Sequence, residues 1–368
     1  MKVNCNKTEL YRTLNNILHA VESRTSSAIF ECVLVEVKGS DMVLTSTNSK
    51  MTIESTIAVV SEGDFSFAVP AKMFADIVGK LPEEEVVLDF DSVKASLHII
   101  SGRYQSELIC FDPEDFPKVK LKNADISITL NKESFRKLIK KTAFSASSDE
   151  INGILTGVLC EINGGNFRMV AVDAFRMAIY NETVSDATDN LSIVIPAKQL
   201  SEVSKFISDD GDENLIMGIT DNKAVLHFDN NKVTLNTMSG KYIDYKRIIK
   251  AESSTEIRVK KDELIRSIER AALMANRMNN NMIKFDIQDD VIEISSLNDQ
   301  GNMNEKIEII KKGDSFRIGF NSKYLIDILR NVEDEEIHMY LKDSISPCII
   351  KPLSGERYLY LVLPVRIN

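Results

Sequence analysis

Residues 70–78 of this chain read Pro70-Ala71-Lys72-Met73-Phe74-Ala75-Asp76-Ile77-Val78, and versions of this stretch occur twice more. The second copy is Pro196-Ala197-Lys198-Gln199-Leu200-Ser201-Glu202-Val203, and the third is Phe320-Asn321-Ser322-Lys323-Tyr324-Leu325-Ile326-Asp327-Ile328. The lysines of the three copies stand 126 and 125 residues apart. Solenoid repeats are about 20–50 residues long, whereas this period matches a whole domain. The chain is therefore predicted to contain three similar domains.

Other segments repeat in the same phase. Residues 7–21, 132–144 and 261–275 resemble one another, and so do the closing segments 111–117, 240–245 and 358–366. Polar stretches without an apolar period, near 118–125 and 250–256, are typical of linkers. We expect domains at 1–120, 125–250 and 256–368.

Apolar periodicity predicts two helices in each repeat. The first helix has one apolar stripe, Leu10, Leu14, Ile17 and Val21, and Asn6 with Glu9 resembles a capping box. Between the helices, alternating runs and polar turns predict antiparallel strands, as in 33–45 and 224–235. The predicted class is α+β, with antiparallel sheets that carry two helices on one face of each domain. The predicted helices span 7–20, 71–80, 132–144, 197–208, 260–277 and 321–331.

Composition favours a cytoplasmic protein with no cofactor. The 368 residues are 43% hydrophobic, yet no apolar run reaches the roughly 18 residues of a membrane span. The first residues lack the apolar stretch of a signal peptide. Five scattered cysteines without a C-x-x-C pair suggest a reducing compartment. His98 and His227 occupy matching repeat positions in predicted strands, so we interpret them as structural rather than metal-ligating.

Charge is unevenly distributed along the chain. The six predicted helices carry a net charge of +10, whereas the whole chain carries −10, so the remainder carries −20. Basic helices could hold a nucleic-acid duplex although the protein is acidic overall. The same lysines could equally form solvated helix faces, and composition leaves both interpretations open.

Repeated domains joined through equivalent surfaces tend to curve into a ring. If basic helices line its inside about 10 Å apart, six helices leave a hole of about 10 Å, twelve about 28 Å and eighteen about 45 Å. A DNA duplex is about 20 Å wide, so the twelve-helix ring suits it. This estimate favours a homodimer.

Several motifs, in order and at matching spacing, resemble one family over the whole chain. They are Ile154–Leu159, Val170–Ala178, Asp244–Arg247, Gly319–Tyr324 and Leu361–Ile367. The family is the bacterial DNA polymerase III beta subunit, the replication sliding clamp. The resemblance implies a ring-shaped homodimer with the DNA clamp fold, which has no enzymatic activity and keeps polymerase on duplex DNA. Implied partners are duplex DNA without sequence preference, the polymerase III alpha subunit, an ATP-driven clamp loader and other proteins with clamp-binding motifs.

The resemblance also implies three sets of site residues. The expected DNA contacts are Arg24, Lys72, Lys137, Lys141, Lys198, Lys323 and Asn152, where relatives often have arginine in place of Asn152. The expected dimer interface sets Tyr104, Ser106 and Leu108 of one copy against Leu273 and Met274 of the other, and Ser106 replaces a typical aromatic residue. The expected pocket for partner peptides comprises Leu155, Val172, Ala174, Phe175, Arg176, Met177, Ile243, Arg247, Ile248, Tyr324, Ile345, Pro347, Leu361, Leu363, Pro364, Val365 and Arg366.

The pocket departs from the family pattern at two places, because Ala174-Phe175 stands where Gly-His is usual and Ile243 where proline is usual. We expect its arginines to orient the peptide.

Two other functions compete with that of a clamp. The acidic clusters Asp89-Phe90-Asp91, Asp209-Asp210 and Asp289-Asp290 could support metal-dependent phosphoryl chemistry. However, they have no lysine or histidine partner in register, and no phosphate-loop, nucleophile-elbow or zinc-protease motif is present. A scaffold that binds peptides but not DNA is the second alternative, and retention on circular duplex DNA would distinguish it from a clamp.

Overall fold

The computed structural model describes residues 1–22, 27–118, 126–184, 190–208, 211–220, 222–250, 252–275 and 280–367. Strands pair in antiparallel ladders within these ranges, and the longer helices pack on the sheets or on one another. The α+β class is therefore confirmed. The predicted linkers lie partly outside the described residues, at 119–125 and at 251.

The six predicted helices are confirmed, and one further short helix is present. The described helices are α1 (Lys7–Ile17), α2 (Ala71–Gly79), α3 (Lys132–Thr142), α4 (Ala197–Phe206), α5 (Tyr245–Ile248), α6 (Lys261–Leu273) and α7 (Ser322–Asn331). Helix α5 was not predicted, because four residues are too few to show an apolar period. Helix α6 ends earlier than predicted, because Met274 leaves the helical backbone conformation at φ −100° and ψ 2°.

Strands fill most of the remaining chain. The first half contains β1 (Lys2–Asn6), β2 (Cys32–Lys38), β3 (Asp41–Thr47), β4 (Met51–Ala58), β5 (Val60–Ser61), β6 (Phe65–Pro70), β7 (Glu85–Asp91), β8 (Ser96–Ser101), β9 (Tyr104–Ile109), β10 (Ile126–Asn131), β11 (Gly157–Asn163), β12 (Asn166–Val172) and β13 (Arg176–Thr183). The second half contains β14 (Leu191–Pro196), β15 (Asn214–Thr220), β16 (Lys223–Phe228), β17 (Asn231–Asn236), β18 (Thr255–Lys260), β19 (Met282–Ile287), β20 (Val291–Asn298), β21 (Gly301–Glu308), β22 (Ile310–Lys312), β23 (Phe316–Asn321), β24 (Glu336–Leu341), β25 (Cys348–Lys351) and β26 (Tyr358–Val362).

The chain forms two compact units. The first comprises Met1–Glu133 and Glu202–Thr237, and the second comprises Ser134–Ser201 and Met238–Asn368. In the first unit, one sheet has the strand order β5-β1-β7-β8-β9 and the other β10-β15-β16-β17-β4-β3-β2-β6. In the second unit the orders are β14-β11-β12-β13-β26-β25-β24-β18-β22 and β21-β20-β19-β23. Each unit thus contains one long sheet and one short sheet.

Both long sheets join strands from different sequence repeats. In the first unit β17 of the second repeat pairs with β4 of the first, with Val233 opposite Ile53. In the second unit β26 of the third repeat pairs with β13 of the second, with Tyr360 opposite Ala178. Main-chain hydrogen bonds therefore cross each boundary between repeats. We call these two ladders the first and second seams.

Helix α1 shows how local sequence produces the packing. The Asn6 side chain accepts a hydrogen bond from the Glu9 amide at 3.0 Å, which caps one of the free N–H groups of the first turn. Leu10, Leu14 and Ile17 follow at helical spacing and are fully buried. The predicted cap and apolar stripe are both confirmed.

A charged cluster packs helix α3 against the residues that follow helix α7. The Glu333 carboxylate lies 2.9 Å from Lys137 Nζ and 3.2 Å from Lys141 Nζ, and Arg357 is 3.6 Å away. Lys141 also donates to the carbonyl of Asn331 at 2.6 Å. Burial alone would raise the pKa of Glu333, but the hydrogen bonds from the two lysines outweigh it, so its pKa lies below the usual range. The charged form of Glu333 therefore stabilises the fold.

We predict that Glu333→Gln lowers the free energy of unfolding at pH 7 by about 1 kcal/mol, a modest loss because the carboxylate is partly exposed. A depressed folded-state pKa contributes stability above the unfolded pKa and loses it as pH falls through the folded value. The gap between variant and wild type should therefore narrow below about pH 4. Urea unfolding at several pH values measures it. Glu356→Gln, at an exposed glutamate, should cause little change, and a constant gap for Glu333→Gln would contradict the prediction.

Candidate functional sites

The first residue of the first helix in each repeat is a structural lysine. Lys7 Nζ donates to the Leu81 carbonyl at 2.7 Å, and Lys261 Nζ donates to the Val332 carbonyl at 3.2 Å. In the second repeat, Lys132 Nζ lies 3.0 Å from the carboxylate of Asp229. These ammonium groups are bound to acceptors within the protein, so they are not available to bind a ligand. The sequence count of +10 therefore overstates the charge that the helices offer to a ligand.

Two of the predicted DNA contacts belong to the α3 cluster instead. Lys141 is 6% exposed, and burial lowers its pKa against the opposing effect of Glu333. Its ammonium group is held by Asn331 and Glu333, so little of Lys141 is accessible to a DNA phosphate in the single chain. Lys137 is only partly exposed and its charge is balanced by Glu333. Lys137 could therefore contact a phosphate only if its ammonium group bound the phosphate and the Glu333 carboxylate together.

Lys72, Lys198 and Lys323 form a different class. Each is exposed and is the second residue of its helix, α2, α4 or α7. Within the described residues none of the three has a hydrogen bond or ion pair from its side chain. A cation in the first turn opposes the helix dipole, which costs about 0.3–1 kcal/mol. The repetition of this unfavourable placement in all three repeats indicates a purpose other than stability.

The remaining predicted DNA residues give a mixed result. Arg24 lies outside the described residues. The Asn152 amide donates to Ser147 Oγ at 2.8 Å, and Asp149 accepts from the Ile151 amide at 3.0 Å. Asn152 therefore holds its own loop together. The apolar residue at this loop, Ile151, is 90% exposed.

Several residues of the predicted peptide pocket lie on one face of the long sheet of the second unit. A row of cross-strand partners runs over four strands, Val172, Met177, Leu361 and Ile349. Partners opposite one another point to the same face, so this row makes a continuous apolar strip. Each of the four is at most 6% exposed. The strip is the floor of the site.

Residues 238–249 cover part of this face. Tyr245 is buried in the apolar cluster, and Tyr242 and Ile248 pack on it from the same segment. The Tyr242 hydroxyl donates to the carbonyls of Gly157 and Val170 at 3.2 and 3.3 Å, which fixes the segment to the sheet. Leu155 and Leu363 also pack on the cluster but remain partly exposed. We call the partly exposed surface around these two residues, at the predicted pocket, the peptide groove.

An aromatic and cationic stack forms one wall of the peptide groove. The rings of Phe175 and Tyr324 are 5.8 Å apart and nearly parallel, and the guanidinium of Arg176 lies 4.7 Å from the Tyr324 ring centre. Phe175 is 53% exposed, so the outer face of the stack is open.

The guanidinium of Arg176, which was predicted to orient a peptide, is engaged within the protein. Its guanidinium contacts Asp173 at 3.0 Å, Asp327 at 2.6 Å and the carbonyl of Phe144 at 2.8 Å. These partners engage three of its five N–H donors, and only 12% of its side chain is exposed. Arg176 positions Tyr324 instead, by fixing helix α7 to the start of β13.

The last described residues complete the peptide groove. The Leu363 amide donates to the Phe175 carbonyl, and the Val365 amide donates to the Gly319 carbonyl, both at 2.8 Å. A side chain at Gly319 would collide with the Val365 carbonyl, since a Cβ atom would lie 2.7 Å from it. The other predicted members include the partly buried Pro347 and Pro364 and the exposed Ala174, Ile243, Arg247, Ile345 and Arg366. The Arg247 guanidinium lies 2.9 Å from Asp244 and is otherwise open to solvent.

The predicted dimer residues lie on a free sheet edge and at a helix end. Tyr104, Ser106 and Leu108 belong to β9, which is the last strand of its sheet. Leu273 ends helix α6 with 78% of its surface exposed, and Met274 follows it. The sequence interpretation did not consider β21, one of the two edge strands of the other short sheet. The 125-residue period could have identified it, because β21 occupies the position of β4 and β13.

The acidic clusters behave as structural groups where they are described. The Asp91 carboxylate accepts from the amides of Val93 and Lys94, and these bonds lower its pKa. Asp289 pairs with Lys311 at 3.1 Å, while Asp209 and Asp210 lie outside the described residues. Within the described ranges, no group of three or more acidic, histidine or cysteine side chains is placed to hold a metal ion. No helix in these ranges is long and apolar enough to cross a membrane.

Comparison with known proteins gives matches over nearly the full chain. Models of the DNA polymerase III beta subunit match with their N-terminal domain at residues 1–120, central domain at 129–244 and C-terminal domain at 246–366. The chain is 29% identical to the beta sliding clamp of Staphylococcus aureus, with 96% of both proteins covered. Two solved structures, each covered completely, are similar: one from Eubacterium rectale assigned to the same subunit (32% identity, TM-score 0.95) and the Bacillus subtilis sliding clamp (28%, 0.96). The chain therefore belongs to the DNA polymerase III beta subunit family, the beta sliding clamps, which are non-catalytic processivity factors of DNA replication.

Proposed function

We propose that two copies of this chain close into a ring around duplex DNA and hold the replicative polymerase there. The three repeats, 1–120, 125–250 and 256–368, would each serve as one domain of the ring. One observation carries the proposal: the same kind of strand ladder joins the repeats at both seams. The strands that would form a third such ladder, β9 and β21, both lie at free sheet edges. Two copies can satisfy each other's free edges, and this closes the assembly.

Three hairpins occupy equivalent positions in the three repeats: β3–β4, β12–β13 and β20–β21. The first two each contribute one strand to a seam. Their end pairs are Asp41 with Ala58, Asn166 with Thr183, and Val291 with Glu308, spaced 125 residues apart. Strand β21 is therefore the counterpart of β4 and β13. Its residue Met303 corresponds to Ile53 and Ala178.

The other half of each seam has a counterpart in β9. The β8–β9 hairpin closes at Ser101 and Tyr104, as the β16–β17 hairpin closes at Phe228 and Asn231. Ser106 therefore corresponds to Val233. Because Val233 lies opposite Ile53 at the first seam, we infer that Ser106 of one copy lies opposite Met303 of the other.

The residues at the free edges β9 and β21 resemble those of a protein–protein interface that lacks its partner. Ser106 Oγ is buried in the single chain without a hydrogen-bond partner. Ile109 at the end of β9 is 76% exposed, and Leu297 beside the β20–β21 turn is 68% exposed. Leu273 and Met274 at the end of α6 would add apolar contacts to this third seam. Uncovered apolar and polar groups of this kind favour association with a second copy.

The DNA contacts that we propose are led by Lys72, Lys198 and Lys323. Their exposure, their lack of protein partners and their threefold repetition support this role. Arg24 and Asn152 are retained as proposed neighbours of the DNA, while Lys137 contributes through its shared ion pair. Contacts from single ammonium groups to phosphates carry no sequence information, which suits a ring that slides.

We also propose that the peptide groove binds short linear motifs of partner proteins. Its apolar floor and partly exposed walls suit an extended peptide with apolar anchors. The proposed partners are the polymerase III alpha subunit, the clamp loader and other proteins with clamp-binding motifs. These partners act on DNA in the cytoplasm, which is the location that we propose for this chain.

Our first test of the ring is a designed disulfide. Ser106→Cys combined with Met303→Cys should give a covalent dimer on oxidation, because directly opposed residues of an antiparallel pair have Cα atoms about 4.5–5.5 Å apart. Non-reducing electrophoresis after mild oxidation would detect it. Each single variant and the off-register pair Ser106→Cys with Asn304→Cys are matched controls, since neighbouring residues of a strand face opposite sides. A monomer band for the designed pair would reject the proposed register.

A charge-reversal variant tests the DNA contacts. Replacing Lys72, Lys198 and Lys323 by glutamate should leave thermal stability nearly unchanged, because exposed charges contribute little. The half-life of the protein on nicked circular duplex should fall by about tenfold or more. A control with Lys38, Lys94 and Lys342 replaced by glutamate makes the same charge change on exposed residues at the end of β2, in a turn and in a loop. Equal losses for both variants would show a general charge effect instead of specific contacts.

Truncation tests the peptide groove. Deleting Pro364–Asn368 removes the Val365 amide that bonds Gly319, so we expect the affinity for a Gln- and Leu-containing clamp peptide to fall about tenfold to a thousandfold. The dimer should persist in sedimentation. Leu353→Ala, at an exposed leucine outside the groove, should bind the peptide normally. Unchanged affinity of the truncated protein would refute the assignment.

A further inference from the structure

We propose that the third seam carries a second partner-binding groove, which selects a peptide with a basic residue between two apolar ones. This groove forms only when β9 of one copy pairs with β21 of the other, so it rests on the proposed ring. We call it the third-seam groove. Its members are Met73, Val93, Glu107, Ile109 and Phe111 of one copy and Leu297 of the other.

The same turn stands beside each seam. Asn48, Asp173 and Asn298 are spaced 125 residues apart, and the side chain of each accepts hydrogen bonds from the amides two and three residues later. These bonds are 2.7–3.1 Å long. In the second repeat this turn presents Phe175 to the peptide groove. The turn at Asn298, between β20 and β21, therefore marks the equivalent place at the third seam.

The chain beyond the seam strand also returns in the same way in the first and third repeats. The Phe111 amide donates to the Ala68 carbonyl at 2.7 Å, as the Val365 amide does to the Gly319 carbonyl at 2.8 Å. Ala68 and Gly319 are 251 residues apart, as are Lys72 and Lys323 of the repeated motif. Phe111 is therefore the counterpart of Val365, which borders the peptide groove.

Four exposed apolar residues of the first repeat are counterparts of residues at the peptide groove. The pairs are Met73 with Tyr324, each the third residue of its helix, Val93 with Ile345, each in a turn capped by an aspartate, Ile109 with Leu363, and Phe111 with Val365. The four residues of the first repeat are 54%, 94%, 76% and 38% exposed, in that order. Exposed apolar residues gathered at one place indicate a contact surface.

Closing the third seam does not by itself cover these residues. Leu363 remains partly exposed although β26 is paired with β13, and Ile345 is 74% exposed beside it. We therefore expect Ile109 and Val93 to remain accessible in the dimer. Their exposure is available to a third molecule.

The other copy supplies the far end of the floor. In the second seam the floor begins with Val172 and Met177, which are directly opposite each other. Their counterparts, 125 residues later, are Leu297 and Asn302, which are also directly opposite each other. Leu297 is 68% exposed in the single chain. It provides an apolar anchor point next to the strand contributed by the first copy.

A charge distinguishes the third-seam groove from the peptide groove. Glu107 stands in the place of Leu361, and His98 opposite it stands in the place of Ile349. The Glu107 carboxylate lies 3.8 Å from His98 and its side chain is 54% exposed, so it can accept a further donor. A lysine or arginine of a bound peptide satisfies this carboxylate, whereas a leucine would cover it without a partner.

The first seam has neither feature. Thr47, Thr52 and Thr234 form its row, each is at most 6% exposed, and the hydroxyls of Thr47 and Thr52 are 2.6 Å apart. These residues offer no apolar anchor and no exposed charge. Equivalent strand pairing therefore does not create a groove unless the side chains suit a ligand.

The test is binding of a fluorescein-labelled nine-residue peptide to the dimer, measured by anisotropy. The peptide has leucine at positions 3 and 7, lysine at position 5 and serine elsewhere, because alternate residues of an extended chain face the same side. We expect saturable binding that Glu107→Gln weakens about tenfold and Met73→Ala about threefold. Leu353→Ala, at an exposed leucine outside both grooves, is the matched control and should bind normally.

A charge swap separates recognition from general damage. Glu107→Lys should lose the lysine peptide and bind the same peptide with glutamate at position 5. Deleting Pro364–Asn368 should leave the lysine peptide bound, because this change affects only the peptide groove. Sedimentation of each variant reports whether the dimer persists. Absence of saturable binding by the wild-type dimer would overturn the proposal, as would loss on truncation or a charge swap that restores nothing.

A monomeric variant tests whether two copies share the site. Leu273→Asp with Met274→Asp should give monomers, since unpaired carboxylates at an interface are costly, and these should not bind the lysine peptide. Unchanged binding by the monomer would refute a groove built from two copies. If Ser106→Cys with Met303→Cys forms no covalent dimer, the proposed ring fails and the third-seam groove fails with it. A covalent dimer that does not bind the peptide rejects the groove alone.

Discussion

The constraint on which this structure depends is that a β-strand cannot leave a long edge unpaired without consequence. Each edge carries a row of N–H and C=O groups that require partners. Here the edge of one repeat is satisfied by the edge of the next, through β17 on β4 and β26 on β13. The same chemistry that builds a sheet within a repeat therefore joins neighbouring repeats. Among the edge strands that remain, β9 and β21 are the counterparts of the seam strands, and these are the two edges that we propose a second copy pairs with.

Local features of the fold could be predicted from the sequence because they depend on neighbours along the chain. The apolar spacing around Leu10 and Leu14, the cap at Asn6 and the hairpin at 224–235 all involve residues within a few positions of one another. Periodicity and capping act at that range. Helix α5 was not predicted, because its four residues are too few to display an apolar period.

The chemistry of the sites was harder to predict because it depends on distant partners. Lys141 resembles any basic helix residue until Asn331, 190 positions away, is found to hold its ammonium group. Arg176 likewise meets Asp327 across 151 positions. A single sequence reveals the charge of such residues but not whether another charge already occupies them. The family resemblance implied a peptide pocket at these residues, yet only the geometry shows that Arg176 is held by Asp173, Asp327 and the Phe144 carbonyl.

The two compact units give the second repeat an unusual status. Strands β10 and β15–β17 belong to one unit, while β11–β14 belong to the other. A fragment cut at the ends of this repeat would lose the strand partners of β17 and β13, and would contain two incomplete cores. The boundaries of the sequence repeats are thus different from the boundaries of the compact units. The sequence repeats one segment three times, but the packing divides the chain into two units that begin and end elsewhere.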